Sequence, residues 1–291
     1  MRSPPAEAHK DSNRGHYSTA AYVTIRWCGV PPGPSACHCC LRGTLMPPSL
    51  ELLEFARYTT PPYRCGYLPA ETARLEYRLL LNVTPTQQEA LLARGWRRFG
   101  REWFRPVCPA CHACRSLRLP VAAFTPSRSQ RRTLQRNAHI TVHVQAPTLT
   151  RAHLQLYDAY HADMHQRRGW PWHRKDPMDY FHTYVEGQWD FAREFLYYDG
   201  SRLVGVGLAD VTPTAISSVY FFHDPAWRPH APGVFSVLQQ LAYAQQHRLR
   251  YHYLGYWIAA CQSMAYKAQY RPHEILAQYP PDEGEPTWLA V

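Results

Sequence analysis

The densest hydrophobic patterning lies near the C-terminal end of the chain. Residues 253–258 read Tyr-Leu-Gly-Tyr-Trp-Ile, an aromatic and branched run that suits a short buried strand. Beyond it, Cys261, Met264, Ala265 and Ala268 recur at spacings of three and four, which predicts a helix reaching Tyr270. Lys267 falls early in that helix, and Tyr256 ends the strand. A crevice between strand and helix, holding a lysine beside tyrosine hydroxyls, suits acyl chemistry. The competing reading is a packed core strand and helix with one solvated lysine.

The same patterning predicts strands at 139–144, 192–198, 203–211, 215–222 and 251–256, with helices at 150–166, 177–186 and 234–247. Two helices, an antiparallel run of strands, a helix, a strand and a helix make an α+β order from about residue 138. Upstream, residues 76–83 read as a strand or short helix. Thr84 followed by Pro85 starts a helix, because proline suits the first helical position. A hairpin is expected over 96–106, a strand over 117–124 and a basic helix over 127–137. The chain therefore divides into a 1–48 extension, a 49–137 N-terminal domain, a 138–280 catalytic domain and a 281–291 tail. The extension is Pro-, Ser-, Gly- and His-rich, and is either disordered or the product of a start assigned upstream of Met46. Its Cys37-His38-Cys39-Cys40 cluster lacks the two-residue gap of a zinc knuckle.

Charge adds a partner. The 291 residues carry a net charge of +10, nearly all from arginine, since the only lysines are Lys10, Lys175 and Lys267. Guanidinium forks suit phosphates and exposed bases, so RNA is the expected polyanion. No run of about 20 apolar residues predicts a membrane span, and the start does not read as a signal peptide. A cytoplasmic protein is expected, its nine cysteines serving as metal ligands, reactive thiols or core residues.

Four segments carry candidate chemistry. Cys108, Cys111 and Cys114 stand at two-residue gaps in one loop, and Cys65 in another turn supplies a fourth thiolate, a set that suits zinc or an iron–sulfur cluster. Arg128, Arg132 and Arg136 recur every four residues with Arg131 beside them, a face that can grip phosphates or a carboxylate. Residues 228–234 link a strand to a helix where an acetyltransferase would hold a pyrophosphate. Phe235 crowds that position, which argues against CoA, although the helix N-terminus still suits a phosphate or a carbonyl oxygen. No Walker loop, dinucleotide fingerprint or nucleophile elbow is present, so an acyl donor must arrive activated.

Taken in order, these segments resemble the aminoacyl-tRNA–protein transferases of the N-degron pathway. The residues that carry the resemblance are Cys65-Gly66-Tyr67-Leu68-Pro69, Leu91 to Arg98, and Phe104-Arg105-Pro106 with the three loop cysteines. Ser127 to Arg132 with Arg136-Asn137 follow, then Tyr253 to Ile258 with Cys261, Met264, Tyr266-Lys267 and Pro272. The resemblance implies an N-acetyltransferase-like (GNAT) catalytic domain behind a smaller cysteine-containing α+β domain. It also implies transfer of an amino acid from aminoacyl-tRNA to the N-terminal amine of proteins beginning with Asp or Glu, with a downstream protease adaptor as a further partner. Leu68 stands where the arginyl branch has a second cysteine, which favours leucine as the donor and arginine as the alternative. A CoA-dependent N-acetyltransferase and a non-catalytic RNA-binding metalloprotein are the other classes. Tyr220 and Tyr256 are expected as hydrogen-bond donors and Lys267 as a charge near the oxyanion. Arg128, Arg131, Arg132 and Arg136 are expected to bind the acceptor or the tRNA. Asp210, if free, would suit an arginyl donor. Transfer itself requires no cofactor.

Overall fold

The computed structural model describes residues 52–291. The 1–48 extension and the Cys37-His38-Cys39-Cys40 cluster lie outside the described residues.

The first unit opens with β1 (Leu53–Thr59), the short pair β2 (Tyr63–Arg64) and β3 (Thr72–Ala73), and β4 (Leu75–Leu81). Helix α1 (Pro85–Ala93) begins as expected: the Thr84 hydroxyl accepts from the Gln87 amide while the Gln87 side chain returns to the Thr84 amide. The hairpin of β5 (Arg97–Phe99) and β6 (Glu102–Pro106) follows, so that β1, β4, β6 and β5 form a four-stranded antiparallel sheet. Next come β7 (Arg115–Pro120) and α2 (Arg128–Arg136), capped by the same reciprocal pair, here Ser127 and Gln130.

The second unit runs β8 (Ile140–Gln145), α3 (Arg151–Arg168), α4 (Pro177–Tyr180), β9 (Ala192–Asp199), β10 (Arg202–Val211), β11 (Ala215–His223), α5 (Pro232–Gln246), β12 (Tyr251–Trp257), α6 (Gln262–Ala265), β13 (Glu274–Leu276) and β14 (Trp288–Ala290). Its eight-stranded sheet has the order β14-β13-β7-β12-β11-β10-β9-β8. A strand of the first unit thus sits inside the second unit's sheet. Residues 288–290, expected within a tail, pair with β13 and form its outer strand. All its pairings are antiparallel except β11 with β12. The architecture is mixed α+β.

Alternation along β9 sends Phe195 and Tyr197 to one face, against α5, and Leu196 to the other, against α3 and Tyr180. Two expected helices are shorter than their pattern. The 177–186 helix ends at Tyr180 and continues as a wider π-type turn over Phe181–Val185. The last helix keeps four residues, lacks a side-chain cap and tightens to a 3-10 turn over Tyr266–Gln269. That tightening buries Lys267, which is 8% exposed and therefore not the solvated lysine of the competing reading.

A charged knot ties the small sheet to the large one. The Arg98 Nε donates to Asp210 Oδ2 at 3.1 Å, and Gln88 Nε2 donates to the same oxygen at 2.7 Å. Trp103 Nε1 holds the Gln88 amide at 2.8 Å. Arg98 and Asp210 are both buried. Asp210→Ala strands the guanidinium without a counter-charge, and the expected loss is about 3–5 kcal/mol of folding free energy. The midpoint of urea denaturation measures it.

Candidate active site

Strands β11 and β12 pair only from Ala215–Tyr251 to Ser217–Tyr253. Just beyond, both strands bulge against their other neighbours. The β10–β11 register slips between Leu208 and Ala209, and the β12–β7 register slips between Tyr253 and Gly255. The strands part there, and the gap exposes main-chain groups that a continuous ladder would have satisfied.

Arg97, on β5, enters this gap. Its guanidinium donates to Ser217 Oγ at 2.5 Å and to the Ser218 carbonyl. Gly255 has φ +78°, and a Cβ there would lie 3.3 Å from the Arg97 guanidinium. Glycine at 255 therefore serves both the turn of the chain and the close approach of the arginine.

Around Arg97 the sequence-predicted residues take definite places. Lys267 Nζ donates to the Tyr256 carbonyl at 2.6 Å. Burial, with the Arg97 charge next, lowers the Lys267 pKa to about 7, while Cys114 and Cys261 oppose the shift. The Tyr256 hydroxyl lies against the main chain of the small sheet, 3.0 Å from the Phe104 carbonyl and 3.2 Å from the Gly95 carbonyl. Its proton is committed to those oxygens, so the ring holds the two sheets together and the hydroxyl is not free for reacting atoms. Tyr220 lies on β11 across the gap. Its hydroxyl donates to His161 Nε2 at 2.8 Å, because His161 Nδ1 must donate to the Tyr157 carbonyl, also at 2.8 Å. Burial lowers the His161 pKa and keeps the ring neutral, and it pushes Tyr220 far above the ordinary phenol range. His161 carried no signal in the sequence, because a helix histidine looks the same whether or not a tyrosine crosses to it. Phe99 and Phe104 bridge the two tyrosines with ring centroids 5.6–6.5 Å apart, giving the gap an apolar wall.

A cavity of about 500 Å³ opens between one face of α2 and the N-terminus of α5. Ser127, Gln130 and Arg136 line it from one side, Gly233 and Val234 from the other, with Tyr266 and Tyr270 closing one end. The buried Tyr270 hydroxyl on this wall has no hydrogen-bond partner among the described residues. Phe235 does not crowd the cavity as expected; it is 1% exposed and packs into the core against Tyr197 and Trp227. Arg128, Arg131 and Arg132 are exposed on α2.

The cysteines draw together without forming a ligand set. Burial raises the Cys114 thiol to about 12, with Cys108, Cys65, Cys111 and Cys261 adding to the shift. Cys65 Sγ accepts the Leu68 amide at 3.4 Å and Cys108 Sγ the Arg74 amide at 3.5 Å. Yet among the described residues no group of three or more His, Cys, Asp or Glu side chains is arranged to hold a metal ion. The expected zinc or iron–sulfur centre on Cys65, Cys108, Cys111 and Cys114 therefore finds no geometry to support it. Asp210 is likewise not free for a cationic donor, since Arg98 and Gln88 occupy its carboxylate. Among the described residues, no helix is long and apolar enough to cross a membrane.

Residues 63–132 match the family profile described as the arginine-tRNA-protein transferase N terminus, and residues 152–277 match its C terminus. The chain is 38% identical over 224 residues to an aspartate/glutamate leucyltransferase of Helicobacter hepaticus, covering 77% of this chain and 93% of that protein. It is 37% identical over 233 residues to one of Pseudomonas fluorescens, covering 78% and 95%. The solved structure of FemX is similar at TM-score 0.39 and 10% identity, over 70% of this chain and 79% of that one, a likeness too slight to carry an argument. Such matches define an aminoacyltransferase. The chain belongs to the aminoacyl-tRNA–protein transferase family, among the arginine-tRNA-protein transferases and aspartate/glutamate leucyltransferases.

The low Lys267 pKa has a consequence for stability. An unfolded lysine stays protonated to about pH 10.4, whereas the folded one loses its proton near 7. Between those values the unfolded state binds more protons, so this residue makes stability rise with pH from 7 towards 10. Lys267→Met should remove that rise, and denaturation midpoints across the range measure the difference.

Proposed function

We propose that the protein transfers leucine from aminoacyl-tRNA to the N-terminal amine of proteins that begin with Asp or Glu. The observation that carries this reading is the similarity to aspartate/glutamate leucyltransferases over nearly their whole length. Transfer is aminolysis of an ester. The amine attacks the leucyl carbonyl, a tetrahedral oxyanion forms, and collapse expels the ribose hydroxyl, which takes up the proton the nitrogen gives away. A free N-terminal amine has a pKa near 7.7–8 and needs no strong base. The site must place the amine, steady the oxyanion and return that proton.

In this reading residues 138–280 act as an acetyltransferase-like catalytic domain and residues 49–137 as its N-terminal partner. The carbonyl sits at the parted ends of β11 and β12. When the carbonyl binds, the Tyr220 hydroxyl turns its proton from His161 Nε2 towards the oxyanion. Lys267, poised near neutrality, shuttles the proton or adds charge. Tyr256 positions rather than donates. The cavity between α2 and α5 receives the terminal ribose and phosphate at the α5 N-terminus, and Arg128, Arg131, Arg132 and Arg136 hold the tRNA backbone.

Leucine over arginine is supported by the used-up Asp210 carboxylate and by the half-buried rings of Phe99, Tyr157 and Tyr220 packed on buried Tyr184, an apolar lining for an aliphatic side chain. The compartment is the cytoplasm, where charged tRNA and a protease adaptor for the new N-terminus would be met.

An Asp-initiated peptide incubated with the protein and Leu-tRNA should gain the mass of one leucine residue, and none with Arg-tRNA. Mass gain with Arg-tRNA alone would reverse the donor. Lys267→Ala should reduce transfer at least about tenfold, the loss expected for one charge-assisted contact. Replacing Arg128 or Arg132 with Ala should weaken tRNA binding and lower the slope of log K against log salt by about 1 each. Binding isotherms at several salt concentrations measure it.

A further inference from the structure

We propose that Arg97 is the residue that reads the acidic side chain of the acceptor. The inference rests on the leucine-transfer reading and deepens it.

Four observations support it. The first is charge bookkeeping. The buried arginines of the small sheet each face a carboxylate: Arg78 faces Glu54, Arg98 faces Asp210 and Arg105 faces Glu76, whereas Arg97 is half-buried. Arg97 has none within ion-pair distance among the described residues. A half-buried guanidinium without a counter-charge is still reachable by a ligand, and a ligand carboxylate would complete its desolvation at the gain of an ion pair.

Second, the donors are available. Its two protein hydrogen bonds, to Ser217 Oγ and the Ser218 carbonyl, leave more than half of the guanidinium N–H groups uncommitted. Third, the place is right. The amine and side-chain carboxylate of a first-residue aspartate are only a few bonds apart, so the reading cation must lie inside the reaction gap. Arg97 lies there, between the parted strands and close enough to Lys267 for its charge to lower that lysine's pKa. Arg128, Arg131 and Arg132 are exposed on α2. A planar fork can also take either Asp or Glu, because one added methylene shifts the carboxylate along the fork without unpairing it.

Fourth, the surroundings amplify the charge. Arg98 cancels Asp210, the rings of Phe99 and Phe104 keep water sparse, and Lys267 adds a partial positive charge.

Arg97 also caps a main-chain carbonyl, and a purely structural role must be separated from reading. Steady-state transfer from Leu-tRNA is measured with two peptides that differ only in Asp or Asn at the first position. It is run on the full chain and on its Arg97→Gln and Arg97→Lys variants, with thermal melts as the folding control. The expected result for Arg97→Gln is a fall in kcat/KM of about tenfold or more on the Asp peptide, mostly in KM, with little change on the Asn peptide. Arg97→Lys should retain part of the Asp preference, since the charge survives and the fork does not, and it carries the test should the glutamine variant melt early. Equal losses on both peptides, or an unchanged Asp-to-Asn ratio in both variants, overturns the proposal. No transfer to either peptide by the unaltered protein overturns instead the reading beneath it.

Discussion

The structure depends on one interruption in a ladder. Strand β12 is paired along β7 from Tyr251–Pro120 to Trp257–Arg115 but meets β11 for only three residue pairs. A sheet that closed both edges of β12 would leave no main-chain groups unclaimed and no space between the strands. Bulges on both strands at the same level prevent closure, and Gly255, with a positive φ, lets β12 turn away. The gap is therefore built into the backbone, and side chains from elsewhere determine what it can hold.

Those side chains come from the small sheet. Arg97, Phe99 and Phe104 face the gap, while Arg98 and Trp103, on the opposite face, knot the sheet to β10 through Asp210 and Gln88. Neighbouring arginines thus have opposite duties, fixed by the period of two along a strand. Arg98 is neutralised and structural. Arg97 remains a partly satisfied cation in the gap. The Arg97 charge adds to burial in lowering the affinity of Lys267 for its proton, so the region is electropositive. Such a field suits an acyl transfer in which negative charge develops on a carbonyl oxygen.

A helix N-terminus supplies the second half of the arrangement. Helices α2 and α5 come from different units, and one face of α2 and the N-terminus of α5 line the same cavity. That N-terminus presents amides that its own helix cannot satisfy. With the Tyr270 hydroxyl, unpartnered among the described residues, they make a polar recess in an otherwise aromatic region.

Much of this was legible in the residues. Two capping boxes, Thr84 with Gln87 and Ser127 with Gln130, set where α1 and α2 begin, and the successive apolar runs of β9 to β11 announced an antiparallel run of strands. The segments around Cys65, Arg97, Arg128 and Tyr253 were enough to indicate the family, because local pattern and motif are carried by neighbouring residues. What the sequence could not show was pairing across distance. That β7 crosses into the second sheet, that Phe235 turns into the core and that Tyr256 donates to main chain all follow from which strand lies beside which. The cysteines illustrate the same limit, since even spacing in the chain brought the thiols near one another without setting them around an ion. Sequence fixes the type and phase of each element through short-range sterics and hydrophobic period. Only the tertiary structure decided which charges are cancelled, because that depends on long-range neighbours, and so it alone separated Arg97 from Arg98.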